Sequence, residues 1–466
     1  MSENKKVSAP AAEQQQKNKM GHAPMMKLIV SMSLPAIFSM LIQALYNIVD
    51  SMYVAQIGEK ALTAVSLAFP VQQLLIAVGV GTGVGLNSLI SRRLGEKRFD
   101  EADKAASHGM FLGLASGIVF AILGALFIKP FFGAFTGDAE VIKMGCDYGY
   151  VVTILSFGSF VQISCEKILQ ATGNMIWPMM FQLTGAITNI ILDPIFIFGW
   201  FGMPKMGVLG AAIATVAGQI LGMLLGIFVL FKKEHEVKVH FKGFRPDGKI
   251  LKDIYRVGFP SIIMQSIGSF MTMGLNAILI GFSQAAVAVM GVYNKLQSFV
   301  FMPVFGLTQG LMPIMGYNFG AKNKKRLISA IKIGECIAVG IMVLGTLLFN
   351  LFPRQLLQMF NASADMMSTG IPAMHILSAC FITAAVSIVF STSFQATGHG
   401  TASLFTSILR QLVVILPVAF LLSRTGLGAT GVWLAFPIAE LVCIVFSVGL
   451  FRRIYDQEIR YLGDVD

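Results

Sequence analysis

The tetrapeptide Gln170-Ala171-Thr172-Gly173 returns as Gln395-Ala396-Thr397-Gly398, 225 residues further along the chain. The same offset pairs Pro35 with Pro260, Gln72 with Gln297, and Gly81 and Gly85 with Gly306 and Gly310. It also pairs Gly95 and Lys97 with Gly320 and Lys322, and Gly109 with Gly334. Later the offset falls to 221, where Gly207 and Gly210 meet Gly428 and Gly431. Glycine and proline recur by chance in apolar helices. A run of matches at one offset, with a whole tetrapeptide inside it, instead marks an internal duplication.

The material around these matches is strongly apolar. Of 466 residues, 55% are hydrophobic and 13% charged, with a mean hydropathy of +0.73. Soluble domains carry about 25% charged residues, so that class is excluded, as are disordered and disulfide-rich secreted chains. A membrane span takes about 20 apolar residues. Twelve runs qualify: 27–56, 62–91, 106–128, 142–169, 175–199, 207–231, 251–281, 285–316, 328–352, 366–394, 401–423 and 428–451. Six fall in each half. Because six is even, both halves enter the membrane in the same orientation. They are then related by a pseudo-twofold axis along the membrane normal, with a pathway expected between them. The expected fold is an all-α polytopic membrane protein of twelve transmembrane helices, arranged as two parallel six-helix repeats. Residues 1–25 read as a disordered tail, 26–232 as an amino-terminal lobe, 233–250 as an inter-lobe loop, 251–453 as a carboxy-terminal lobe and 454–466 as a second tail. The first apolar run is too long, and lacks the small-residue cleavage pattern, for a signal peptide.

Net charge is +11. In a soluble protein that would suggest nucleic acid, but here the charge lies in loops between apolar runs, where it reads as topology and contact with lipid headgroups. With the amino terminus inside, inner segments carry 26 Lys and Arg and outer segments six. Both termini and the central loop are therefore expected in the cytoplasm. The five cysteines and six histidines are scattered, so no disulfide framework, metal site or cofactor is indicated. Gly79–Gly85 looks loosely like a phosphate loop. No Lys-Ser/Thr follows, however, and close helix packing is the better reading. With no ATP-binding motif in the sequence, active transport would have to draw on an ion gradient.

Ionisable residues within spans are costly and are functional candidates by default. Asp50 in span 1, Asp193 in span 5 and Thr215 in span 6 lie eight, six and eight residues from Gly58, Gly199 and Gly207. At 1.5 Å per residue, all three sit about 10 Å inside the outer boundary. Asn189 is four residues before Asp193 and shares its face, and Pro194 frees the carbonyl of Ile190. A carboxylate, an amide and a loosened carbonyl at one turn suit a proton or a hard cation such as Na⁺. Neither acid is duplicated: Asp50 corresponds to Leu275, and Asp193 falls beside Leu416-Pro417-Val418. Glu166, flanked by Gln162 and Gln170 one turn either way, makes a polar stripe that could be functional or structural, with Lys167 beside it free to snorkel. Arg410 and Glu440 compute to similar depth and read as a structural ion pair. Lys295 has no evident partner; repelling a bound cation and contacting a substrate are both open roles. Some of the 27 methionines and 37 phenylalanines could line an adaptable apolar cavity, though lipid contact and core packing account for most.

Several stretches resemble the multidrug and toxic compound extrusion (MATE) transporters, with the bacterial MepA-like branch most similar. They are Ser33-Leu34-Pro35, Asn47–Ser51, Arg93-Leu94-Gly95, both Gln-Ala-Thr-Gly motifs, Asn189–Gly199, Gly207–Ala212 and Tyr317–Ala321, within roughly residues 25–453. The resemblance implies a V-shaped pair of six-helix lobes in a bacterial cytoplasmic membrane. It implies cation-coupled export of amphipathic, often cationic, compounds by a protein that is not an enzyme and works as a monomer. Asp50, Asn189, Asp193 and Thr215 are then implied as the amino-lobe cation site, and Glu166 as the functional span-4 acid. The carboxy-lobe acids of the NorM-type branch have no match. A flippase for lipid-linked or polysaccharide precursors is the alternative on the same scaffold.

Overall fold

The computed structural model describes residues 18–463, and every regular element among them is helical. Ten helices are each long and apolar enough to cross a membrane. Spans 1 to 3 are Met25–Ile57, Glu59–Gly95 and Phe99–Phe135; spans 5 to 9 are Ile176–Phe198, Val208–Lys232, Gly248–Leu279, Gln284–Gly320 and Lys324–Leu351. Span 11 is Gly400–Ser423 and span 12 begins at Ala429. Two bent pairs supply the rest. Span 4 is Ala139–Ile154 plus Phe157–Ala171, bent by 42°, and span 10 is Ala364–Ser378 plus Phe381–Ala396, bent by 47°. Short polar turns set the boundaries. The side chains of Asp138, Asp247, Ser283 and Ser363 accept hydrogen bonds from the first free amides of the helices they precede.

The duplication extends to backbone geometry. The bends of spans 4 and 10 fall at equivalent positions, and Lys97 and Lys322 both adopt a left-handed φ, 59° and 57°. Gly207 and Gly428 precede spans 6 and 12 with φ/ψ of 58°/−128° and 54°/−130°. A β-carbon is strained there, which explains why glycine recurs at both places. The halves diverge where span 11 carries a π-helical stretch, Leu409–Ile415. Its counterpart, span 5, is a continuous helix around Pro194.

Glycines let the halves meet backbone to backbone. A β-carbon on Gly85 would fall 2.1 Å from the Ile254 carbonyl oxygen, one on Gly95 2.0 Å from that of Tyr317, and one on Gly320 2.1 Å from that of Arg92. Gly306 and Gly310 press against Ile37 and Ser33 in the same way. These contacts join spans 2 and 7, 2 and 8, and 1 and 8 towards the end of the bundle that carries the central loop. Arg93 adds an ion pair across the seam to Asp253 at 3.5 Å, besides its bonds to Glu96 and Glu101.

Residues 18–24 depart from the expected disordered tail, of which residues 1–17 lie outside the described residues. Lys19–His22 forms a helical turn capped by Asn18, and Met20 is fully buried. Asn18 donates to Glu236 of the central loop at 2.6 Å and to the Thr172 carbonyl of the amino half at 3.4 Å. From the carboxy half, Asn318 and Arg326 donate to the Met20 carbonyl at 3.0 Å each, and Arg326 also to that of Ala23 at 2.8 Å. The segment thus straps the two halves together at the loop end. Burial raises the Glu236 carboxyl above the ordinary glutamate range, partly offset by Asn18 and Lys19.

Candidate functional site

The amino half has two apolar clusters, one including Phe132, Tyr148 and Ile197 and the other including Leu86, Ile168 and Phe181. Along spans 5 and 6 the polar residues Asn189, Asp193 and Thr215 fall between them. Asp193 is fully buried and Asn189 nearly so. With the Asn189 amide oriented to satisfy both ends, its nitrogen donates to Asp193 at 3.2 Å and its oxygen accepts from the Thr215 hydroxyl at 3.2 Å. Asp50 reaches across from span 1 until its carboxyl group is in hydrogen-bond contact with that of Asp193. Its other oxygen, Oδ1, is buried without a partner. The four residues picked out by depth and spacing are therefore brought to one place.

Two neighbours escaped the sequence reading. Tyr46 and Tyr148 lie within electrostatic reach of both acids, and the Tyr148 hydroxyl is held by Gln72 at 2.6 Å. Tyr46 was legible in principle, being one helical turn before Asp50. Tyr148 was not, since it comes from another span.

A cavity of about 550 Å³ lies between the halves, within the range of small-molecule sites. Tyr46, Asn189 and Thr215 line it, so Asn189 and Thr215 connect the buried acids to its wall. Spans 3 and 9 contribute nothing to its lining among the described residues. The rest of the lining departs from the adaptable methionine and phenylalanine surface held open above. Its apolar part includes Met40, Ile76, Met264 and Phe305, but amides and hydroxyls crowd it, among them Gln43, Gln219, Gln265, Gln309 and Gln395.

Glu166 and Gln162 also line the cavity. Gln162 donates to one Glu166 oxygen at 3.0 Å and Gln182 to the other at 3.2 Å, so the acid is buried with both oxygens satisfied. Lys167 does not snorkel: it is 8% exposed, bonded to Gln170 at 2.9 Å, with its stem against Gly83. Arg410 and Glu440 do pair, at 3.1 Å, but Arg410 faces the cavity as well. Lys295 is not brought to either place. It is exposed on the outside of span 8, with its ammonium 5.9 Å from the ring centre of Phe360, because its helix turns the opposite face inward. No cluster of three or more His, Cys, Asp or Glu able to hold a metal occurs among the described residues.

Twelve spans in two like-oriented halves, a cavity between them and a buried acid pair in one wall define a membrane transporter. The MatE family model matches the chain twice, over residues 35–195 and 260–421, once per repeat, and the chain belongs to that family. It is 26% identical over 437 residues to the multidrug export protein MepA of Staphylococcus aureus (strain MSSA476), covering 93% of this chain and 95% of that one. The MepA of Staphylococcus saprophyticus is 27% identical over 435 residues, 92% and 94% of the two chains. Among solved structures, a MOP superfamily transporter from Pyrococcus furiosus Vc1 superposes with a TM-score of 0.88 at 29% identity, over 95% of this chain and 98% of that one. A multidrug resistance MATE family transporter in an outward-facing conformation gives 0.87 at 28% identity, over 98% and 100%.

Proposed function

We propose that the protein exports amphipathic organic compounds across a bacterial cytoplasmic membrane, with its termini inside, by antiport against H⁺ or Na⁺. The observation that carries this reading is the contact between the Asp50 and Asp193 carboxyl groups. Two carboxylates in hydrogen-bond contact cannot both stay ionised in a buried site unless a proton or cation lies between them. The pair is thus a place where an ion from one side of the membrane is held or lost. Asn189 and Thr215 pass the consequence on: an ion at Asp193 changes what the Asn189 amide must satisfy, and that amide forms part of the cavity wall. Transport then requires the ion to bias two conformations, one closed at the loop end and one open there. The glycine seam and the strap of residues 18–24 fit the closed member.

Flux would follow a cycle in which cargo enters from the loop end and an ion arriving from the opposite end displaces it. The two domains are 26–232 and 251–453, moving as lobes about the seam. No cofactor is required, the working unit is the monomer, and surrounding lipid is the only other partner. The relatives do not favour a precursor flippase, and neither does a cavity whose cations among the described residues are Lys167 and Arg410, few for a polyphosphate headgroup. The test is transport by purified protein in liposomes under pH and Na⁺ gradients imposed separately. Gradient-driven efflux in the wild type and its loss in Asp193→Asn support the reading; efflux indifferent to both gradients refutes it.

A further inference from the structure

Arg410 is a charge that export by the amino half leaves without a task. It belongs to the π-helical stretch Leu409–Ile415, a local irregularity found mostly at functional sites. Its side chain is 25% exposed and forms part of the cavity wall. Arginine–carboxylate pairs are frequently bidentate, with two parallel bonds. Here one nitrogen donates to one Glu440 oxygen at 3.1 Å, while the other oxygen, Oε2, is buried with no partner. No further hydrogen bond from the guanidinium occurs among the described residues. One edge of the fork is therefore committed to Glu440 and the other is uncommitted beside the cavity.

The surrounding wall narrows what that edge can meet. Among the described residues Arg410 is the one charged side chain the carboxy half contributes to the lining; its companions there include Gln265, Gln309, Ser391, Gln395 and Ser407. These are neutral donors and acceptors, suited to a cargo rich in hydrogen-bonding groups. Charge narrows it further. Among the described residues the charged side chains lining the cavity are Glu166, Lys167 and Arg410, so its wall offers an acid as well as cations. A charge in a desolvated site is costly without a partner, and a zwitterion finds one for each end, Arg410 for its anion and Glu166 for its cation.

We propose that the cargo this cavity recognises best is a zwitterion whose carboxylate docks on the free edge of Arg410, with its cationic part towards Glu166 and its neutral polar groups on the glutamine amides. The proposal rests on the cavity being the cargo site, as in the preceding reading, and specifies the chemistry of that cargo. Arg410 is then a specificity-determining residue rather than half of a structural pair.

A matched pair of dyes tests it. Rhodamine 110 carries a carboxylate beside its cationic ring system, and rhodamine 123 is its methyl ester, a plain cation of nearly the same shape. Fluorescence anisotropy with the purified full-length protein measures both affinities. Wild type is expected to bind rhodamine 110 about tenfold more tightly than the ester, the discrimination of one charge-assisted hydrogen-bonded contact. In the double variant Arg410→Gln/Glu440→Gln, which leaves no orphaned charge and so guards against misfolding, the ratio is expected to fall to about one. Arg410→Lys, which keeps the charge, should restore part of it. Equal affinities in wild type, or an acid preference that survives the double variant, overturn the proposal while leaving export intact. Binding of neither dye overturns the cargo-site reading together with it.

Discussion

Replacing Gly95 and Gly320 with alanine tests whether the seam between the halves is a gate. A β-carbon on Gly95 would sit 2.0 Å from the Tyr317 carbonyl oxygen and one on Gly320 2.1 Å from that of Arg92, against about 3.0 Å for the tightest contacts β-carbons make. Each alanine must therefore open the seam by about 1 Å. The obstructing atoms belong to helix backbone and cannot rotate away. Overpacking of this kind costs about 1–3 kcal/mol. The cost falls only on a conformation in which the seam is shut, so a two-state equilibrium should move by about 5- to 150-fold towards the open form. Spin labels on Asp100→Cys and Lys325→Cys in a background without the native cysteines would report the separation across the loop end by pulsed electron resonance. The expected result is a new, longer distance population in Gly95→Ala/Gly320→Ala. Gly133→Ala is the control, since a β-carbon there meets nothing within 4 Å. An unchanged distance distribution in a folded double variant would refute the idea that this seam closes one state and parts in another.

Four further outcomes are expected. Asp193→Asn should abolish gradient-driven efflux while inserting and folding normally, because the amide matches the carboxylate in volume but cannot exchange a proton; efflux at the wild-type rate would remove Asp193 from the mechanism. Affinity for a fluorescent organic substrate should fall as H⁺ or Na⁺ is titrated in and the ion should in turn bind more weakly to the loaded protein, since linkage is reciprocal; affinity flat across both titrations counts against coupling. Arg326→Ala removes two hydrogen bonds from the strap, at about 1.5–3 kcal/mol for each bond to a charged donor, and should speed amide exchange over residues 19–23 by at least tenfold; an unchanged rate would show that buried Met20 and the bonds of Asn18 and Asn318 hold it without Arg326. The strap's Asn18 and Lys19 both favour the ionised Glu236 carboxyl, against the burial that raises it. The contribution of those two contacts is therefore present while Glu236 is ionised and lost as pH falls and it takes up its proton, so the same amides should lose protection towards acid pH beyond what intrinsic rates account for. Glu236→Gln should remove that dependence, and its persistence there would assign it elsewhere.

Which features were legible follows from how each is encoded. Twelve spans and their duplication are written in apolar runs and in a constant offset, and both survive because a bilayer leaves helices few alternatives. Depth within a span is likewise a matter of counting, which is why Asp50, Asn189, Asp193 and Thr215 could be grouped before any contact between their helices was known. Azimuth is not a matter of counting when the partner faces are unknown. Lys295 sits at a plausible position along span 8 but on its outward side, and Lys167, beside Glu166, turns inward because Gly83 of span 2 makes room for its stem. The strap was missed for a related reason. Residues 18–24 are too polar and too short to form a helix alone, and they acquire order from the burial of Met20 and from Glu236, Asn318 and Arg326, each contributed by a segment far away in sequence. The cavity lining is the furthest from the sequence, because every glutamine in it looks by itself like an ordinary polar interruption of an apolar run. Only when six-helix halves are set face to face do those separate interruptions converge into one surface. The duplication that made the fold readable is also what hides the site, since function resides where the two copies have stopped matching: acids at Asp50 and Asp193 in one, the π-helical Arg410 in the other.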